Sequence, residues 1–143
     1  MILPDVNVLI YAFRRDVPQY STCNIWLNQV VASDARFGMS PLALSAFVRV
    51  TTDQRVYNNP SPLDEAYAFA DYLLGQPHCQ IVKPGEQHWS IFKRLCIETD
   101  TRGRRVSDAW YAALAIEWGC EWITFDRDYA RFPGLKWQLP EAA

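Results

Sequence analysis

The sequence predicts an α/β fold in which a central, mostly parallel sheet is covered by helices on both faces. Two observations carry that reading. Short apolar strand-like runs alternate with longer segments of helical apolar spacing, the pattern of strands joined by crossover helices. In addition, separated strand-to-helix corners arrive at an aspartate: Met1-Ile-Leu-Pro4 ends on Asp5, Arg105-Val-Ser107 leads into Asp108, and Trp122-Ile-Thr124 runs through Phe125 to Asp126. Open α/β sheets hold ligands outside the carboxyl ends of their strands, so acids placed there can converge from far apart in the chain.

The elements follow in order. After the first strand, residues 6–13 read as a short helix, closed by the charged link Arg14-Arg-Asp-Val-Pro18. Residues 21–31 carry Cys23, Ile25, Trp26, Leu27, Val30 and Val31 at helical spacing with no breaker. Residues 36–39 form a strand, and Ser40-Pro41 is an N-cap and first-turn pair for a helix over 42–52. Residues 54–60 are a loop, after which Ser61-Pro62 repeats the same start, with Asp64 and Glu65 at the positive end of a helix that stops at Gly75. A strand at 79–82, a turn at Pro84-Gly85 and an amphipathic helix over 86–99 follow, with Trp89, Phe92, Leu95 and Cys96 expected inward. Ser107 is expected to cap a helix over 108–118, an almost continuous apolar run ended by Gly119. A strand at 121–124, a helical turn at 127–132, a turn at Pro133-Gly134 and an edge strand at 136–138 complete the chain.

Bulk properties narrow the function. The 143 residues make one ordinary domain, taken as 1–140 with a tail at 141–143. Half the residues are apolar and 21% are charged, a globular composition. A formal charge of −2 provides no global field for polyanions, so a nucleic-acid partner would need a local basic patch or one assembled by a dimer. No apolar window approaches a membrane span and no signal-peptide pattern opens the sequence, so a cytoplasmic protein is expected. Cys23, Cys79, Cys96 and Cys120 contain no C-x-x-C pair, which argues for buried free thiols rather than zinc or redox chemistry.

Asp5, Asp108 and Asp126 make chemical sense together if they hold a hard divalent cation. Mg2+ accepts carboxylate oxygens and keeps several waters, so two or three acids suffice. Such a metal lowers the pKa of bound water and neutralises charge on a phosphoryl oxygen, which is phosphodiester hydrolysis chemistry. At the first turn of its helix, Asp108 is also held ionised by the dipole. Taken singly, each acid reads equally well as a cap or turn residue, and acid-ended strands also serve phosphatases and receiver domains. An aspartyl-phosphate phosphatase usually carries a second acid two residues after the nucleophile, where this chain has Asn7.

Three segments carry a resemblance. Leu3-Pro-Asp5-Val-Asn7-Val-Leu9, Ser107-Asp108-Ala-Trp-Tyr-Ala112-Ala113-Leu-Ala115, and the longer Thr124-Phe-Asp126-Arg-Asp128-Tyr-Ala-Arg-Phe132-Pro-Gly134-Leu-Lys-Trp137 together resemble the PIN domain, and more narrowly VapC-type toxins of bacterial toxin–antitoxin pairs. The resemblance implies a three-layer α/β/α sandwich, a Mg2+- or Mn2+-dependent endoribonuclease, a homodimer, and a small VapB-like antitoxin that blocks the acidic pocket. It matches Asp5, Asp108 and Asp126 to the metal-site acids, and Asn7 and Thr124 to the accompanying polar positions. One position departs. Many relatives place a Glu on the helix after the second strand, where this chain reads Leu44-Ser45-Ala46-Phe47-Val48-Arg49. The loss leaves a catalytically weakened RNA- or protein-binding module as the alternative. Asp53 lies too far along the helix to replace the Glu; Asp128 is the better substitute, unless it faces Arg127 or Arg131 as a surface acid.

Basic and aromatic residues complete the reading. Arg102, Arg104 and Arg105 crowd the loop before Asp108, where guanidinium groups could reach a phosphate over the acids. Arg104, Arg105 and Arg127 are the phosphate-binding candidates, with Arg49 and Arg55 as lesser ones. Trp26, Trp89, Trp110 and Trp118 fall at core spacings, and His78 and His88 have no nucleophile to serve.

Overall fold

The computed structural model describes residues 1–141, so the last two residues of the expected 141–143 tail lie outside the described residues. Its frame is a parallel five-stranded sheet in the order β3-β2-β1-β4-β5, formed by β1 (Ile2–Pro4), β2 (Phe37–Met39), β3 (Cys79–Ile81), β4 (Glu121–Ile123) and β5 (Trp137–Gln138). The central β1 pairs in parallel with β2 on one side and with β4 on the other, in the register Pro4↔Ile123. Strand order therefore changes direction between β1 and β4, which opens a crevice beyond their carboxyl ends.

The helices are α1 (Val6–Phe13), α2 (Tyr20–Ala32), α3 (Pro41–Thr51), α4 (Leu63–Leu74), α5 (His88–Thr99) and α6 (Val106–Trp118). Pleating divides the strand side chains between two cores. Phe37, Met39 and Ile123 join Val8, Leu9, Phe47 and Leu73 beneath α1 to α4. Leu3 and Trp122 join Leu95 and the alanine-rich face of α6 on the opposite side. These are the three layers of an α/β/α sandwich.

At Gly38 the second layer leaves no room for a side chain. A Cβ there would sit 2.8 Å from Val82 Cγ2 and 3.2 Å from Leu3 Cδ1. Gly38→Ala is expected to destabilise the fold by about 1–3 kcal/mol through overpacking, read as a lower denaturant midpoint.

Several local expectations change. Ser40 caps α3 as expected, accepting from the Ala43 N–H at 3.3 Å. Ser61 does not cap α4. Its Oγ accepts from Arg14 Nη1 at 3.1 Å, and this buried guanidinium also donates to the Asn59 carbonyl and to Asp16. Ser107 is likewise no cap: a 3-10 turn at Gly103–Arg105 runs straight into α6, so Ser107 lies inside the helix and donates to the Arg104 carbonyl at 3.0 Å. Trp89, expected inward, is 70% exposed, because α5 buries the Leu95 stripe and turns Trp89 outward. Trp118 is also exposed, with its indole N–H donating to the Lys83 carbonyl. Among the described residues all four cysteines are free thiols, and no helix is long and apolar enough to cross a membrane.

Candidate functional site

The crevice beyond β1 and β4 is the candidate site. Asp5 follows β1 directly, and its backbone N–H donates to the Ile123 carbonyl at 2.8 Å, which continues the β1–β4 ladder by one more bond. Its side chain caps α1, with Oδ1 accepting from the Val6 N–H at 2.6 Å. Its other oxygen, Oδ2, accepts from the Thr124 hydroxyl, also at 2.6 Å. Thr124 is fully buried and works in both directions, because its Oγ1 also accepts from the Asp126 N–H at 3.0 Å. One hydroxyl thus ties the acid after β1 to the acid after β4. Asn7 braces the same corner: its amide reaches Thr124 Oγ1 at 3.5 Å, and its Oδ1 accepts from the Phe125 N–H at 3.4 Å.

Asp108 enters from the first turn of α6, held from the far side of the crevice. The 3-10 turn after Asp126, Arg127–Arg131, starts with Asp126 Oδ1 accepting from the Asp128 N–H. That turn sends the buried Tyr129 hydroxyl to Asp108 Oδ1 at 3.3 Å, and Arg131 Nη2 lies 4.0 Å from Asp108 Oδ2. Arg131 Nε and Nη2 are buried and have no hydrogen-bond partner. The guanidinium lies over the Phe132 ring, so Asp108 is the acid it faces.

Asp5, Asp108 and Asp126 all line one cleft of about 510 Å3, together with Asn7, Ser45, Ala46, Arg49, Ser107, Tyr111 and Tyr129. Confinement makes Asp5 and Asp108 costly to ionise. Burial pushes the Asp5 carboxyl up to about 6; the Thr124 and Val6 donors oppose the shift, and the charges of Asp108 and Asp126 add to it. Burial and then the Asp126 charge raise Asp108, against the Tyr129 hydroxyl and the charges of Arg131 and Arg105. Tyr129 is driven well above the usual phenol range by burial and by the acids around it, which keeps it a donor. Burial pushes Tyr111 up to about 12.

The arginines fall out differently. Arg105 does not line the cleft, and its Nη1 donates to Asp128 Oδ2 at 2.9 Å. Asp128 therefore faces neither Arg127 nor Arg131, and this ion pair straps the turn before α6 to the turn after β4. Arg102 pairs with Asp100. Arg104 and Arg127 are exposed and do not line the cleft. Of the arginines, it is Arg49 that lines it, beside Ala46 at the position of the missing Glu. Asp53, on the same helix's C-terminal side, is bound by Arg55.

Nothing in the sequence alone marks Tyr129 and Arg131 as site residues. Both belong to the closing motif, but their inward aim depends on the 3-10 geometry of residues 127–131, which apolar spacing does not reveal.

A family model described as PIN domain matches residues 2–135 of this chain. The chain belongs to the PIN domain family. Ribonuclease VapC25 of Mycobacterium tuberculosis is 38% identical over 136 residues, covering 95% of this chain and 96% of that protein. Among solved structures, VapBC2 of Rickettsia felis, bound to a DNA fragment from their promoter, matches with a TM-score of 0.69 and 17% identity, covering 97% of this chain and 98% of that one. VapC20 of M. tuberculosis, described as a sarcin–ricin loop cleaving toxin, matches with a TM-score of 0.67 and 14% identity, covering 95% and 99%. The five-stranded parallel sheet and its flanking helices are thus the PIN arrangement, and its crevice is where the three aspartates lie.

Proposed function

We propose that this PIN domain protein is a metal-dependent endoribonuclease, the toxin of a VapBC-type pair, in which Asp5, Asp108 and Asp126 hold a divalent cation. The observation that carries the reading is the convergence of these acids, from three separate corners of the sheet, on one open cleft where the nearest counter-charge to Asp108 is 4.0 Å away. The donor set is all oxygen, which suits Mg2+, with Mn2+ as a substitute. Among the described residues no three His, Cys, Asp or Glu side chains lie close enough together to hold a metal ion. An open set fits Mg2+ well, because that ion keeps several of its waters.

When bound, the ion supplies charge neutralisation at a phosphoryl oxygen and an acidified water. The chain's own residues do the rest. Thr124 and the Val6 N–H hold Asp5 at a fixed angle, and Tyr129 fixes the rotamer of Asp108. Ala46 brings no carboxylate to the α3 wall, and Asp128 is engaged by Arg105, so the acidic groups of the cleft are the three aspartates. A site weakened to a binding module is the less favoured reading, since all three acids face the cleft. The substrate is RNA, the controlling partner is a small VapB-like antitoxin that covers the cleft, and the protein acts in the cytoplasm as a homodimer.

Chelation provides the test. RNA cleavage should disappear in EDTA and return when Mg2+ is added in excess, whereas undiminished cleavage in EDTA overturns the metal mechanism. Tyr129→Phe keeps the ring but removes the donor to Asp108. Loss of such an orienting bond costs about 10- to 100-fold in metal affinity, so a weaker Mn2+ isotherm by calorimetry is expected. An unchanged isotherm would reduce Tyr129 to core packing.

A further inference from the structure

The acid cleft does not end at α3. Ser45 and Arg49, one turn apart on the same face of that helix, line both the cleft and a second groove of about 500 Å3 between α3 and α4. The groove is mostly apolar. Leu44, Val48 and Ala70 are buried in its floor, and Tyr67 rises from α4 with 55% of its surface exposed. Asp71 adds one carboxylate to the wall. Such a lining repels a phosphate and suits the flat apolar face of a nucleobase, whose N–H edge an aspartate can accept. Arg49, on the crest, has the opposite character. Ala46 brings it no carboxylate from the preceding turn, and among the described residues it is in no ion pair, Asp53 being bound by Arg55.

We propose that RNA crosses α3 as a single strand, with a backbone phosphate on the Arg49 guanidinium and the neighbouring base laid in the α3/α4 groove against Tyr67. This rests on the nuclease reading and adds to it a subsite: one phosphate and one splayed base held on the α3/α4 side of the cleft. A duplex keeps its bases stacked inside and cannot place one in the groove. The arrangement also answers an electrostatic difficulty. Three carboxylates repel the strand they cut, and a cation one helix face away draws the backbone back across them.

The test is binding of a short unstructured RNA, measured by fluorescence anisotropy with Mg2+ present, in the full chain carrying Asp108→Asn to prevent cleavage. Adding Arg49→Ala or Tyr67→Leu should each weaken binding about tenfold, in line with one lost phosphate contact or one lost base stack. Tyr67→Phe should bind as the parent does, as should Trp89→Ala, which removes an exposed aromatic elsewhere. The same sequence in a duplex should bind at least about tenfold more weakly than the single strand. Equal binding by all variants, or equal affinity for the duplex, overturns the proposal. So does a change of oligomeric mass in Tyr67→Leu with RNA affinity intact, which would assign the groove to a second copy of the chain. If the subsite fails while the unsubstituted chain still cleaves RNA with Mg2+, the nuclease reading stands; if the unsubstituted chain neither binds nor cleaves RNA, both fall.

Discussion

Replacing Asp108 by Asn should lower RNA cleavage by on the order of 10²–10³-fold with the fold intact, the scale expected when one charge that stabilises the reacting centre is removed. The substitution is nearly isosteric. The side-chain amide oxygen it introduces can still accept from the Tyr129 hydroxyl, which keeps the corner between α6 and the 127–131 turn in place. What disappears is the charge, and with it the ligand proposed for the cation. Asp126→Asn should behave alike, since its Oδ1 only needs to accept from the Asp128 N–H to hold the turn. Single-turnover cleavage at saturating enzyme, with circular dichroism to verify folding, checks both. Asp128→Asn supplies the contrast: it breaks an exposed, solvent-screened ion pair with Arg105 and should cost far less. Near-parental rates in Asp108→Asn would remove that residue from the chemistry.

Asp5→Asn should lose activity and yet stabilise the metal-free protein at neutral and alkaline pH. The sign follows from the titration. Asp5 titrates near 6 in the folded chain against the ordinary 3.8, so the folded state binds the proton more tightly than the unfolded one. Its contribution therefore favours folding in acid and is lost as pH climbs from about 4 through 6. Above that window the buried charge costs about 3 kcal/mol, at about 1.36 kcal/mol per pH unit of displaced titration. Asparagine avoids that charge. It offers one acceptor oxygen where the carboxylate gave two, one to Thr124 and one to Val6, and the lost hydrogen bond returns about 1 kcal/mol. A net gain of about 1–2 kcal/mol is expected at pH 8 in EDTA and none at pH 4, read from urea unfolding of both chains. A variant less stable than the parent at pH 8 would mean that the ionised carboxylate supports the fold.

That the three acids line one cleft is legible in the sequence, because each stands just after a strand or at a helix start, positions that sequence punctuation marks well. Asn7 and Thr124 were legible for the same reason, and the structure joins them in one network centred on Thr124. Contacts decided by three-dimensional competition were not legible. Ser61 looked like a cap, but Arg14, forty-seven residues away, takes its hydroxyl. Ser107 looked like another, but the preceding 3-10 turn moves the helix start upstream. Trp89 had the spacing of a core residue, yet apolar spacing on a helix with aromatic residues at several phases leaves its rotation open, and Leu95 wins the buried face. Its position before Asp108 suggests that Arg105 meets a phosphate, while its pairing with Asp128 depends on two loops meeting. Tyr129, the donor to Asp108, lay in plain view in the closing motif, and its aim came only from the turn.

The most direct test is a crystal of this chain soaked in Mn2+, with diffraction recorded at the manganese absorption edge. One anomalous peak in the crevice, with oxygens of Asp5, Asp108 and Asp126 on it directly or through a single water, is the predicted result. Manganese bound elsewhere, or a crevice without a peak while the acids remain apart, would contradict the claim that these aspartates share one cation.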